Sequence, residues 1–128
     1  MIHDAARPFA TPEMFSSCIA AATQSGGSIV AIPVADTLKQ VAHGTVISTT
    51  GRDGLWQAQT PQSFHRELLI KAHERAQREH ITVTDDAHLC EYMGVKLQVV
   101  QGSASNLKIT TPDDLRLGEA IARFGFPR

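Results

Sequence analysis

An α/β fold is the class this sequence predicts, and three observations carry it. The opening stretch Ile2-His3-Asp4-Ala5-Ala6-Arg7-Pro8 runs from an apolar residue into a polar loop, the pattern of a strand end. Thr11-Pro12-Glu13 then starts a helix that Ser25-Gly26-Gly27 stops. Ser28 to Val34 is an almost continuous β-branched run, the mark of a strand buried on both faces. Strand, helix, strand is the crossover unit of a parallel sheet, expected to be right-handed.

The totals set the frame. At 128 residues the chain fits one domain with a single core. A formal net charge of -1 gives no electrostatic footprint for nucleic acid or for an anionic membrane, so any phosphate must be held by a few placed basic residues. Cys18 and Cys90 lie far apart in apolar helical patterns, which predicts buried free thiols in a reducing cytoplasm. There is no signal-peptide pattern and no apolar run of transmembrane length. Because the residues after Met1 enter a strand end at once, a βα unit is expected upstream.

In the first helix, proline at N1 needs no N–H donor, and Glu13 faces the positive helix end. Met14, Cys18, Ala21 and Ala22 follow at helical spacing. After Val34 the period changes. Two alternating segments around His43-Gly44 predict a β-hairpin over 36–50. A lone two-stranded ribbon is marginal in water, so it should lie on its own domain or on a second subunit. Gly51-Arg52-Asp53-Gly54 is a turn that places an arginine at the hairpin base.

Leu55 to Phe64 sets the only tryptophan among polar amides, which suits an element packing apolar bulk near a cleft. From His65 to about Glu79, Leu68, Leu69, Ala72 and Ala76 form one apolar helical stripe, with the basic residues solvated. Thr84-Asp85-Asp86 caps a short helix that Gly94 closes. Val95 to Val100 alternates as a half-exposed strand, and Asn106 to Thr110 reads as another short strand. Thr111-Pro112-Asp113-Asp114 repeats the proline helix start, and Leu115, Leu117, Ala120, Ile121 and Phe124 carry that helix to Gly125.

Several chemistries lack their motif. The six histidines show no metal-ligand spacing, and His88 beside Asp85 and Asp86 fits a helix surface better than a metal site. No G-x-S-x-G elbow occurs, and Gly26-Gly27 follows a helix instead of opening one, so it is no phosphate loop. What remains is a set of loop-borne ions and hydroxyls: Asp4, Arg7, Asp36, Thr37, Arg52, Thr60 and Lys108. In α/β sheets ligands bind beyond the carboxyl ends of strands, where Asp4 and Arg7 would project. The same spacing also fits a plain connection in which Asp4 caps and Arg7 pairs with it on the surface. Arginine and lysine hold phosphate oxygens, and in phosphoryl-type transfer positioning and charge stabilisation are most of the protein's task.

Five stretches taken together carry a resemblance: His3-Asp4-Ala5-Ala6-Arg7-Pro8, Pro33 to Lys39, Arg52 to Gln62, Thr84-Asp85-Asp86, and Asn106 to Leu115. In this order they resemble the 2-C-methyl-D-erythritol 4-phosphate cytidylyltransferases of non-mevalonate isoprenoid synthesis. The resemblance implies a Rossmann-like nucleotidyltransferase fold and a homodimer with interlocking β-hairpin arms, a role for the ribbon at 36–50. It implies transfer of a cytidylyl group from CTP to methylerythritol 4-phosphate with release of pyrophosphate, Mg²⁺ being held chiefly by the CTP phosphates. By resemblance Arg52 and Lys108 position the substrate phosphate for attack. Asp4, Arg7, Thr37 and Thr60 match other residues of that pocket, with Thr37 and Arg52 reaching across from the partner's arm.

The family's glycine-rich segment, with its catalytic arginine and lysine, precedes the His-Asp-Ala-Ala-Arg-Pro motif and is not within these residues. The chain therefore matches the C-terminal, substrate-binding and dimer-forming part of one nucleotidyltransferase domain, expected to be inactive alone. Two other readings stay open on sequence: a ribitol 5-phosphate cytidylyltransferase of the same fold, and a non-catalytic dimerisation module.

Overall fold

The structure, a computed structural model, describes residues 1–125. Its order is α1 (Pro12–Ser25), β1 (Gly27–Pro33), β2 (Leu38–Ala42), β3 (Thr45–Thr50), β4 (Trp56–Phe64), α2 (Arg66–Glu79), α3 (Asp86–Tyr92), β5 (Gln98–Gln101) and α4 (Pro112–Phe124). β1 sits at the centre of a three-stranded sheet in the order β4-β1-β5. It runs parallel to β5 and antiparallel to β4, so the sheet is mixed and not wholly parallel as the crossover pattern predicts. The cause is the connection from 34 to 55, which leaves along the hairpin and returns beside its origin, with Val34 N–H donating to Leu55 C=O at 3.0 Å. Ile2 bridges Gln62 on the far side of β4, so β4 lies between the opening segment and β1.

Local chemistry sets the helix ends as expected. Thr11 and Thr111 each accept a hydrogen bond at the N-caps of α1 and α4, and Asp114 reaches back to complete a capping box. Gly26 closes α1 at φ 92°, a left-handed conformation that strongly favours glycine. Asp85, in the Thr84-Asp85-Asp86 stretch, caps α3 by accepting from the His88 N–H at 2.9 Å.

Two apolar clusters flank the sheet. Met14, Cys18 and Val30 join α1 to β1, while Ala72, Ala76, Leu89 and Cys90 join α2 to α3. Both cysteines are buried and free, and burial pushes the Cys90 thiol up to about 11. On the surface, Tyr92 O–H and Arg75 Nε both donate to Glu79 at 2.8 Å, clasping α2 to α3. The hydrogen bond from Arg75 holds the Glu79 carboxyl below its ordinary range.

Three expectations need correcting. Asn106 to Thr110 forms no strand, because its backbone partners are elsewhere: Ile109 N–H donates to Ala6 C=O at 2.8 Å and Thr110 N–H to Asp114 at 3.0 Å. The strand predicted from Val95 begins only at Gln98, since Val95 and Leu97 pack onto the α2–α3 cluster. Trp56 packs little: it is 44% exposed, like Leu115 at 54% and Phe124 at 79%.

The hairpin forms as predicted, with β2 and β3 antiparallel around His43-Gly44, both at positive φ. Every residue from Val41 to Thr50 is exposed, including Val41, Val46 and Ile47, so the ribbon does not lie on its own domain.

Two outcomes test this packing. A Cβ at Gly102 would stand 2.8 Å from Val30 Cγ1 and 3.2 Å from Ala31 C=O, both in the packed centre of the sheet. Gly102→Ala should therefore lower stability by about 1–3 kcal/mol in urea unfolding, and an unchanged midpoint would refute the close approach.

The Asp114 carboxyl, hydrogen-bonded by Thr110 and Thr111, titrates at about 2. A carboxylate lowered in the fold stabilises it above its unfolded value of about 3.9. That contribution should disappear as pH falls toward 2, so the stability gap between the native chain and Asp114→Asn should hold at neutral pH and close in acid.

Candidate functional site

The site gathers over the middle of β4, where the 3–7 loop and the 106–109 segment meet. Thr60 interrupts β4 at a cis Thr60–Pro61 peptide, and the β1–β4 register shifts between Ile29 and Ala31 beside it. Its hydroxyl lies 3.0 Å from the Asp4 N–H, which it accepts, and 2.9 Å from His3 Nδ1. His3 Nε2 lies 3.1 Å from the Arg7 C=O, and the ring packs edge-on against Phe15 of α1 at 5.2 Å. Thus both ends of the loop are tied before any charge is considered.

Asn106 is the buried partner of this loop. Fully inaccessible, it donates through Nδ2 to Thr60 C=O at 2.9 Å and to Gln59 Oε1 at 3.2 Å. Gln59 in turn donates to Ser103 C=O at 2.9 Å, fixing the loop that leads to Asn106. The Asn106 carbonyl accepts from Arg7 Nη1 at 2.6 Å.

Those contacts define the charges. The Arg7 side chain is only 12% exposed and spends donors on the Asn106 and Ala58 carbonyls, so it anchors the loop as much as it offers charge. Lys108 is freer. Its ammonium lies 3.1 Å from Asp4 Oδ2, while Arg7 Nε lies 3.5 Å from the same oxygen. The Lys108–Asp4 pair is about half exposed and worth at most about 1 kcal/mol, so an incoming phosphate can take the carboxylate's place on the ammonium.

A cavity of about 320 Å³ opens over this cluster, its lining shared by Asp4, Arg7, Thr60 and Lys108 with Gln62, Thr84, Asp85 and Asp86. A second, of about 380 Å³, shares Arg7 and Lys108 but is otherwise walled largely by Ile32, Ala58, Ala104 and Leu107. A basic group flanked by hydroxyl and carboxylate acceptors suits a small phosphorylated polyol: the ammonium takes the anion, the acceptors take hydroxyls.

The carboxylates do not make a divalent-cation site of their own. Asp4 is shared between two cations, Asp85 accepts from Gln62 Nε2 at 3.1 Å as well as from His88, and Asp86 meets His73 Nε2 at 2.7 Å. Among the described residues no group of three or more His, Cys, Asp or Glu is placed to hold a metal ion.

Of the residues singled out from sequence, Asp4, Arg7, Thr60 and Lys108 come together. Asp36, Thr37 and Arg52 do not line this cavity. The first two are exposed near the foot of β2, and Arg52 Nη1 donates to Ala35 C=O, bracing the hairpin base. Sequence reading left out Gln62, Thr84, Asp85 and Asp86 as site residues, although the Thr-Asp-Asp motif was visible as a helix cap. It also left out Asn106 as a site residue, although Asn106 opens one of the five stretches that carry the resemblance.

Removing the Asn106 amide strands the Gln59 and Thr60 acceptors in a buried place. Asn106→Ala should destabilise the fold by about 2–3 kcal/mol, measured by denaturant unfolding. A change within experimental scatter would show that this amide is not what holds the loops.

Comparison with known proteins places this site in context. A family model described as 2-C-methyl-D-erythritol 4-phosphate cytidylyltransferase matches residues 1–123. A protein of that name from Syntrophotalea carbinolica is 48% identical over 121 residues, 94% of this chain and 52% of its own length. One from a Synechococcus strain is 46% identical over 124 residues, 96% of this chain and 53% of its own. The crystal structure of such an enzyme from Thermus thermophilus superposes with a TM-score of 0.90 at 38% identity, over 94% of this chain and 60% of that one. The chain spans about half the length of the curated relatives it matches. With the family model over nearly all its residues and the mixed α/β fold of the solved relatives, this chain belongs to the 2-C-methyl-D-erythritol 4-phosphate cytidylyltransferase family.

Proposed function

We propose that this chain supplies the acceptor-binding and dimer-forming part of a cytidylyltransferase. In that reaction a phosphate oxygen of methylerythritol 4-phosphate attacks the α-phosphorus of CTP, and the bond to the β-phosphate breaks to release pyrophosphate. The observation that carries the reading is Lys108 paired weakly with Asp4 over a cavity that is also lined by the hydroxyls of Thr60 and Thr84 and the carboxylates of Asp85 and Asp86. Lys108 holds the acceptor phosphate, and Asp4 and Thr60 hold its hydroxyls. Arg7 fixes the loop that carries Asp4. Fixing a nucleophile in line with phosphorus removes a large entropic cost, and that is the work these residues do.

Thr37 and Arg52 enter the reading through a second copy. The hairpin that carries or adjoins them exposes Val41, Val46 and Ile47, an apolar surface suited to burial against a partner's arm. From there Thr37 and Arg52 would complete the partner's pocket. Mg²⁺ would ride on the CTP phosphates, because the carboxylates of this chain are already engaged. No helix of the described residues is long and apolar enough to cross a membrane, and we place the reaction in the cytoplasm.

The test is pyrophosphate release with CTP, methylerythritol 4-phosphate and Mg²⁺, on this chain alone and on this chain joined to the preceding half of a curated relative. Turnover should appear only in the joined protein. Lys108→Ala in that protein should lower it by about 10²-fold or more, as loss of a transition-state charge contact does. Joined proteins that prefer ribitol 5-phosphate, or a Lys108→Ala variant of full activity, would sink the reading.

A further inference from the structure

His3 has no part in the chemistry above, yet both its ring nitrogens are engaged beside the cavity. The Arg7 carbonyl can only accept, so His3 Nε2, 3.1 Å away, carries the proton. In the neutral ring Nδ1 is then an acceptor, and its partner at 2.9 Å, the Thr60 hydroxyl, must donate to it. Thr60 Oγ1 also accepts the Asp4 N–H at 3.0 Å. The hydroxyl proton is spent, one lone pair is spent, and one lone pair is left at a residue that lines the cavity.

We propose that His3 is a positioning residue that fixes Thr60 as a hydrogen-bond acceptor toward the cavity, so that Thr60 receives a hydroxyl of the bound polyol and is denied to its phosphate. The polar groups at the cavity then have fixed roles: Lys108 donates, while Asp4 and Thr60 accept. A phosphorylated polyol suits these roles with its phosphate on Lys108, where it takes the carboxylate's place, and its hydroxyls toward Thr60 and the released Asp4. Reversed, it would set phosphate oxygens against a carboxylate and a lone pair. His3 does this without touching the ligand, its ring packed against that of Phe15. The polyol part of the argument rests on the function proposed above; the hydrogen-bond polarity does not.

Two measurements separate the parts. The first is a long-range ¹⁵N–¹H spectrum of the native chain at about pH 8.5, above the ordinary imidazole range. His3 should show Nε2 protonated and Nδ1 as an unprotonated acceptor. The opposite tautomer overturns the proposal whatever the chain binds.

The second is calorimetric titration with methylerythritol 4-phosphate and with inorganic phosphate. His3→Ala should weaken the polyol phosphate about tenfold, the scale of one hydrogen bond, and inorganic phosphate much less. His3→Asn, whose amide oxygen can stand near the Nδ1 position and accept from Thr60, should restore most of the loss. Thr60→Val should weaken the polyol phosphate similarly, and adding His3→Ala to it should cost little more, because the two act as one unit.

Equal loss of both ligands in His3→Ala, with no rescue by asparagine and full additivity with Thr60→Val, would mean a merely structural histidine. Native chain that binds inorganic phosphate but no polyol phosphate would defeat the proposed function instead, and the ring spectrum would still decide the role of His3. Should His3→Ala fail to fold, the asparagine variant and the native spectrum keep the proposal open to refutation.

Discussion

One buried amide holds this site together. Asn106, on the 102–109 connection, ties that segment to the opening loop through Arg7 and to the centre of β4 through Thr60 and Gln59. In a low-dielectric interior such bonds are strong when made and costly when broken, so the three segments are fixed together or not at all. The consequence for function is positional. Asp4 and Lys108 come from opposite ends of the chain, and their 3.1 Å pairing depends on the segments that Asn106 joins.

Topology follows from a second constraint, the excursion between β1 and β4. A chain that leaves one end of a strand and re-enters the sheet beside it from that same end comes back antiparallel, and β4 so placed lies between Ile2 and β1. The excursion carries its apolar residues into solvent, at Val41, Val46 and Ile47. It also takes Asp36, Thr37 and Arg52 away from the cavity of their own chain. The placement that makes the hairpin a poor element of a single domain is what suits it to reach another one.

The electrostatics divide by burial. Arg7, nearly enclosed, gives two hydrogen bonds to backbone carbonyls and behaves as a strut. Lys108 is half exposed and, among the described residues, pairs with a screened carboxylate, so of the two it is the one able to change partner. Two basic residues that look equivalent in a motif thus differ in role because one is surrounded by carbonyls and the other by water.

Much of this was legible in the residues. Thr11-Pro12, Thr111-Pro112 and Gly26 set helix ends through contacts a few positions long, and period-two alternation around His43-Gly44 marked the hairpin. Asp4, Arg7, Thr60 and Lys108 are legible as loop-borne ions and hydroxyls, and they do line one cavity, although Thr60 lies within strand β4 and not in a loop. The reach of strand β5, the irregular path of 106–110 and the exposure of Trp56 were not legible, because each depends on what lies across the fold. The sequence by itself determined the caps, turns, buried strand and site loops, all of which arise from interactions within a turn or two of the chain. Only the tertiary structure decided the antiparallel seat of β4, the acidic wall of Thr84, Asp85 and Asp86, and the bonds joining His3 to Thr60 and Arg7 to Asn106. Those are pairings between residues as much as 99 positions apart, and no local pattern encodes which distant partner will satisfy a buried polar group.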